Sequence, residues 1–415
     1  MCFGYYSKKA VESIKQYGFI ETIKCIPLVI KKRLHIFPYE KPYDSTYEDD
    51  AYKEEKDIDT EIKAIAFYLP QYHSIPENDK WWGEGFTEWT NTKKATPKYK
   101  GHYQPRIPHK DIGYYKLDDI ETIKKQVKIA KAHGVYGFCF YYYWFSGKRL
   151  LEKPLDLLLE HKEIQMPFCI CWANENWTRT WSGNKEDILI QQEYKKDDPD
   201  LFIQDAAKYI ADERYIKIGE KPLIIVYNSM EIPDCESLFE KWRALARKNG
   251  IGEIEIWACY TDNSITEKLL KEGHINAVVD FPPRNSGCED KIYVKHLSDG
   301  KDEICIYDYR MLVKSYLARY KKWSNFSNHY PTCMMAWDNS PRKEVGWHSF
   351  YGFSQKWFYK WLKGMISLSR KHFDIDHRYL FINAWNEWGE GTYLEPDEKY
   401  GYVNINTFSE ALLKK

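Results

Sequence analysis

The feature that most constrains this 415-residue chain is a pattern that sets in after residue 61. Short runs rich in β-branched and aromatic residues, each ending in polar or aromatic positions, alternate with longer stretches of helical period. The runs are Ile62–Leu69, Val135–Tyr142, Phe168–Trp172, Leu223–Tyr227, Glu255–Tyr260, Ala277–Phe281, Thr332–Trp337 and Tyr379–Trp385. Near-continuous apolar runs are what strands buried on both faces require, and the intervening helices supply the crossovers that parallel pairing needs. Asp118–His133 typifies those helices: Asp118 is placed to cap, Glu121 to complete a capping box, Ile120, Ile123, Val127 and Ala130 form the stripe, and Gly134 ends it. Gln355–His372 reads the same way. Eight such units predict an α/β fold, a (β/α)8 barrel with long loops over residues 61–415. A doubly wound sheet is the competing architecture, but no G-x-G-x-x-G turn follows any run.

Two segments precede the barrel. In residues 1–39, Lys8, Lys9, Lys15, Lys24, Lys31, Lys32 and Arg33 outweigh Glu12 and Glu21, while Val11, Ile14, Phe19, Ile23, Ile26 and Ile30 recur at roughly helical spacing. That is a basic amphipathic extension, suited either to peripheral contact with an anionic membrane surface or to packing on the main domain. Residues 40–60 turn acidic and Tyr-rich without an apolar period, as a linker does. Across the whole chain Lys+Arg 61 balances Asp+Glu 61, which excludes a general nucleic-acid footprint. The longest apolar stretch, Gly134–Phe145, is too short to cross a bilayer. Met1–Gln16 carries no secretory apolar run, and Cys139, Cys169, Cys171, Cys259 and Cys333 sit inside apolar runs as reduced thiols. The expected location is therefore cytoplasmic, with the inner face of the membrane open to residues 1–39.

In a barrel the chemistry gathers where strands end, and here the strand exits are rich in aromatics, amides and carboxylates. Aromatic faces stack on sugar C–H faces, and Asn, Asp and Glu read hydroxyls, so the expected ligand is a carbohydrate. The strongest motif is Asn386-Glu387-Trp388-Gly389-Glu390-Gly391-Thr392. Glycosidic-bond chemistry needs two carboxylates, one to move a proton at the bridging oxygen and one to act at the anomeric side. Glu387 and Glu390 are the catalytic candidates, against the alternative that they cap a helix or pair with an arginine. Mutual repulsion and burial under Trp385 and Trp388 should raise the pKa of one of them.

The candidate substrate-binding residues are Tyr72, His73, Trp81, Trp82, Glu88, Trp89, Tyr143, Trp144, Trp172, Asn174, Glu175, Trp177, Asn228, Asp338, Asn339, Asn386 and Trp388. Glu175 either orients substrate hydroxyls or supports the acid, against the alternative that it pairs with Arg179. The loop Trp81–Asn91 is either a platform for the sugar or a rim on which its tryptophans pack. No metal site or cofactor is expected, because the histidines show no zinc spacing and neither a P-loop nor a G-x-S-x-G elbow occurs. Asp57-Ile58-Asp59 and Asp374-Ile375-Asp376 are D-x-D strings placed away from the strand exits.

Phe67-Tyr68-Leu69-Pro70-Gln71-Tyr72-His73, Trp81-Trp82-Gly83, Gly101-His102-Tyr103-Gln104-Pro105, Tyr143-Trp144-Phe145, Trp172-Ala173-Asn174-Glu175-Asn176-Trp177, Trp337-Asp338-Asn339 and Asn386–Thr392 together resemble the WbsX family of bacterial surface-polysaccharide proteins. That family is itself similar to glycoside hydrolase family 99, the endo-α-mannosidases. The resemblance implies a (β/α)8 barrel acting on α-linked sugars with retention and without a metal. By it, Glu387 assists the sugar's 2-hydroxyl in forming a 1,2-anhydro intermediate, and Glu390 is the acid/base. Thr180-Trp181-Ser182-Gly183 stands where that resemblance leads one to expect a second arginine and an aspartate. The expected function is glycosyl transfer or remodelling in O-antigen or capsule biosynthesis on an oligosaccharide, lipid-linked or free. The competing readings are an endo-acting retaining hydrolase and a non-catalytic glycan-binding protein.

Overall fold

The computed structural model describes residues 60–413, except 100, 179–187, 285–290, 297–302 and 323–327. The basic extension, nearly all of the acidic linker, Asp57-Ile58-Asp59, Arg179–Gly183 and Asn285 lie outside the described residues.

All eight predicted runs form strands: β1 (Lys63–Tyr68), β2 (Val135–Phe145), β3 (Phe168–Trp172), β4 (Lys221–Val226), β5 (Glu255–Cys259), β6 (Ala277–Val279), β7 (His329–Tyr330 and Thr332–Met334) and β8 (Tyr379–Asn383). They pair in parallel, in the order β6, β5, β4, β3, β2, β1, β8, with the two halves of β7 at the ends. Pro331 explains the division, since it donates no hydrogen bond and breaks the strand. His329–Tyr330 pairs with β6 and Thr332–Met334 with β8, and Phe381 N donates to Pro331 O at 2.9 Å, so the seventh strand closes the barrel.

One helix follows each strand on the outside. After α1 (Pro76–Trp82) and α2 (Glu88–Lys94) in the first loop come α3 (Ile120–Ala132), α4 (Lys153–Glu160), α5 (Asp198–Ile210), α6 (Cys235–Lys248), α7 (Asn263–Glu272), α8 (Tyr309–Lys322), α9 (Gln355–His372) and α10 (Val403–Leu413). The cap of α3 is Asp119 rather than Asp118, with its carboxylate accepting from Glu121 N at 3.0 Å. Ser354 caps α9 through Trp357 N. Asp374, in the second D-x-D string, caps a short turn through Asp376 N and His377 N.

β3, β5 and β8 are buried at every position, as strands between a packed interior and a helical layer must be. The barrel axis is filled by rings: Phe67 lies 5.8 Å from Tyr141, 5.1 Å from Phe281 and 5.6 Å from Phe381. This plug closes the barrel below and leaves its C-terminal mouth as the open end. No helix among the described residues is long and apolar enough to cross a membrane.

Candidate active site

A cavity of about 670 Å³ opens at the C-terminal ends of the strands. Its walls come from nearly every strand exit: Gln71 after β1, Tyr141 and Tyr143 on β2, Glu175 and Trp177 after β3, Tyr227 after β4, Arg284 after β6, Trp337, Asn339 and Arg342 after β7, and Glu387 and Glu390 after β8. The floor is the aromatic plug, with Tyr141 and Phe281 belonging to both. Apolar faces with a few convergent polar groups are what a cyclic polyol requires.

The segment Asn386–Thr392 is held from several sides. The Asn386 amide accepts from Leu69 N at 2.7 Å and donates to Leu69 O at 2.9 Å, which ties the β8 exit to the β1 exit. The Tyr72 hydroxyl donates to Asn386 O and accepts from Trp388 N. Asn386 and Glu387 pair with Tyr393 and Thr392 in a short hairpin, and Gly391 takes the left-handed φ of 63° that the turn needs. Behind it the Trp388 indole donates to the buried Glu395, which also accepts from Tyr115 and Gln126.

One guanidinium organises the carboxylates. Arg342 donates through Nη2 to Glu387 Oε2 at 2.7 Å, reaches Glu390 Oε1 through Nη1 at 2.8 Å, and donates through Nε to Glu88 Oε1 at 2.8 Å. Gly389 makes this possible. A Cβ there would lie 1.6 Å from Glu88 Oε1, so the glycine admits a buried side chain rather than a ligand. Three carboxylates converge on this one guanidinium, and their mutual repulsion together with burial favours proton uptake. Burial, with Glu390 and Glu88 nearby, pushes the Glu387 carboxyl up to about 8 despite Arg342. Burial likewise raises Glu88. On the opposite wall Glu175 accepts from Asn228 at 2.9 Å and from Arg284 at 3.3 Å.

The sequence profile described as glycosyltransferase WbsX matches residues 64–408, spanning the barrel and this cleft. The chain belongs to the WbsX family. Protein WxcX, labelled uncharacterized, of Xanthomonas campestris pv. campestris is 37% identical over 350 residues in each of two strains, B100 and ATCC 33913. The match takes in 84% of this chain and 49% of WxcX, so the chain spans about half the length of these curated relatives. Among solved structures, a glycoside hydrolase-like protein superposes with a TM-score of 0.53 at 12% identity, over 92% of this chain and 99% of its own. The GH99 endo-alpha-mannosidase of Bacteroides thetaiotaomicron superposes with a TM-score of 0.52 at 15% identity, over 84% and 98%. Its complex with bis-tris propane gives 0.51 at 15%, over 83% and 95%. At these identities the likeness is one of fold, and it is the fold expected from the strand runs.

Within this WbsX-family chain the candidate residues separate into two groups. Tyr143, Glu175, Trp177, Asn339, Glu387 and Glu390 line the cleft. Glu88, Asn174, Asn228, Asn386 and Trp388 lie behind it: Asn174 joins the β3 and β4 exits through Asn228 N and O, and Glu88 anchors Arg342. Tyr72 and Trp89 are buried beside each other, with Trp89 donating to Tyr115 O. His73 is buried over Pro70 O. Trp144 and Trp172 face outward into the helical layer, packed on Phe202. Trp81 packs against Trp177 and Trp82 stacks on Phe86, the rim alternative for that loop.

Asp338 is buried too. Burial opposes its ionisation, but His102 at 2.6 Å and the Gln104 amide bring its carboxyl down to about 2, and its backbone N donates to Glu390 O. Thr261-Asp262, at the β5 exit, supplies a cap for α7. The most important residue that strand-exit reasoning missed is Arg342. It stands several positions beyond the Thr332–Trp337 run in a loop with no period, and no local signal points to it. Tyr141 and Tyr227 also line the cleft, but nothing in their runs marks them as the inward positions.

Proposed function

We propose that the chain is a retaining carbohydrate-active enzyme that forms or remodels an α-glycosidic bond in bacterial surface-polysaccharide biosynthesis, with Glu387 and Glu390 as the reacting pair. The observation that carries this reading is that both carboxylates line the cleft while held by one guanidinium. Family membership supports glycosyl transfer, and the description of the family names that chemistry. In this reading Glu387 takes the proton of the sugar's 2-hydroxyl and Glu390 moves the proton at the bridging oxygen. A carboxylate raised by burial is the stronger base once ionised. The likeness in fold to an endo-alpha-mannosidase supports the second reading, an endo-acting hydrolase using the same pair.

The test incubates the protein with free and lipid-linked oligosaccharides, with and without nucleotide sugars, and follows product mass. Growth that needs the nucleotide sugar establishes transfer, and shortening establishes hydrolysis. Glu387→Gln and Glu390→Gln should each lower turnover by roughly 10²- to 10⁴-fold. Because Glu387 must be ionised to act as a base, kcat/KM should rise with pH through about 8. A rate that falls over that range would instead make Glu387 the acid. Unchanged glycan binding and biological effect in Glu387→Gln would leave only a binding protein.

A further inference from the structure

Glu88 is chemically conspicuous because it carries a carboxylate beside the cleft without lining it. It is wholly buried on α2, and among the described residues Oε1 receives the Arg342 Nε while Oε2 receives no donor. A buried acceptor left unmatched costs free energy, and a fold retains such a group where it does something else. The bare face of Gly389 exists for this carboxylate, since any side chain there would occupy its place. Both remaining nitrogens of the same guanidinium go to Glu387 and Glu390.

We propose that Glu88 is a positioning residue for the reacting pair: acting through Arg342, it fixes where the guanidinium sits and how its charge is divided between Glu387 and Glu390. The link runs from α2 in the first loop, through Arg342 in the seventh, to the β8 exit, so it locks three loops into one arrangement. The charged and titratable groups facing Glu88 are Arg342, Glu387, Glu390, Lys94 and the phenols of Tyr72 and Tyr143. Those facing Glu387 are Arg342, Glu390, Glu88 and the phenols of Tyr72, Tyr141 and Tyr143. Arg342 is the cation they share. An ionised Glu88 competes for it, and a neutral one releases it to the pair.

The role in catalysis rests on the reading of Glu387 and Glu390 given above, so the test has an arm that needs no turnover. The full chain carrying ¹³C-carboxyl glutamate is titrated by NMR as wild type, Glu88→Gln and Glu88→Ala, with Glu387→Gln assigning the Glu387 signal. Glu88→Gln keeps an acceptor for Arg342 Nε and removes one negative charge, so the Glu387 midpoint should fall by about one pH unit. Where turnover is measurable, Glu88→Ala should lose at least tenfold more of it than Glu88→Gln, because only the amide keeps the guanidinium anchored. A Glu387 midpoint that does not move in folded Glu88→Gln overturns the proposal, whatever happens to activity. If the wild type shows no turnover the reading of the site fails, while the titration still decides the positioning role. If Glu88→Ala does not fold, the isosteric variant carries the test.

Discussion

Gly389→Ala adds one methyl group at a point where the structure leaves no room for it. The glycine is not in the left-handed region, so alanine brings no backbone strain and the whole effect comes from Cβ. That atom would lie 1.6 Å from Glu88 Oε1, 2.8 Å from Glu88 Cδ and 2.9 Å from Arg342 Nε. Ordinary contacts are about 3.5 Å, so the carboxylate would have to retreat by roughly 2 Å. A side chain tip can usually swing away cheaply, but Glu88 is 0% exposed and the move breaks its 2.8 Å bond to Arg342. Overpacking costs about 1–3 kcal/mol, and breaking a buried charge pair about 3–5 kcal/mol. Partial relaxation should bring the observed loss to about 3 kcal/mol. Urea denaturation followed by tryptophan fluorescence measures it, alone and in a Glu88→Ala background where the obstructing oxygen is gone. There the same substitution should cost under about 1 kcal/mol, a coupling of roughly 2 kcal/mol. An equal cost in both backgrounds would refute the reasoning, because Gly389 would then be required for something other than Glu88.

Burial raises the Glu395 carboxyl to about 7 from an ordinary 4.5. The folded chain therefore holds a proton that the unfolded chain releases, and stability should fall as pH rises between roughly 4.5 and 7, by about 3 kcal/mol from this group. Glu395→Gln should flatten that part of the profile, read from urea midpoints at pH 5 and pH 8, and an unchanged slope would show that Glu395 does not titrate in the fold. Trp337, partly exposed on the cleft wall, should contribute a stacking face. Trp337→Ala is expected to weaken glycan binding about tenfold, roughly 1.4 kcal/mol, with the thermal midpoint nearly unchanged, and calorimetry with an oligosaccharide ligand would detect the contrary.

The barrel was readable because both of its requirements, a dry strand and an amphipathic crossover, are local. Each buried strand had to be an apolar run, and each run did become a strand. The exceptions are equally physical. Pro331 splits β7 between two neighbours, an effect of which neighbour lies on either side and therefore invisible in a run read by itself. Asp118 and Asp119 are chemically equivalent caps, and only the entry of the chain into α3 selects the second.

For the site, the two candidate glutamates were legible because they are neighbours in the chain, whereas their organiser was not. Arg342 meets Glu88 and Glu387 only because loops one, seven and eight converge on one rim. The aromatics show a different limit. On a half-solvated strand, alternation of polar and apolar residues reveals which side chains point inward, but β2 is aromatic on both faces and reads Tyr141-Tyr142-Tyr143-Trp144 with no polar marker of parity. The structure assigns Tyr141 and Tyr143 to the cleft and sends Tyr142 and Trp144 outward to Phe202 on α5. Trp172, paired in register with Tyr142, follows it outward and meets Trp242 on α6 at 5.5 Å. A one-residue change in register would exchange these sets, so the same tryptophans would serve as sugar platforms. Much of the chain's 17% aromatic content is accordingly the cement between sheet and helices, and the rings that face a ligand are chosen by strand parity rather than by ring type.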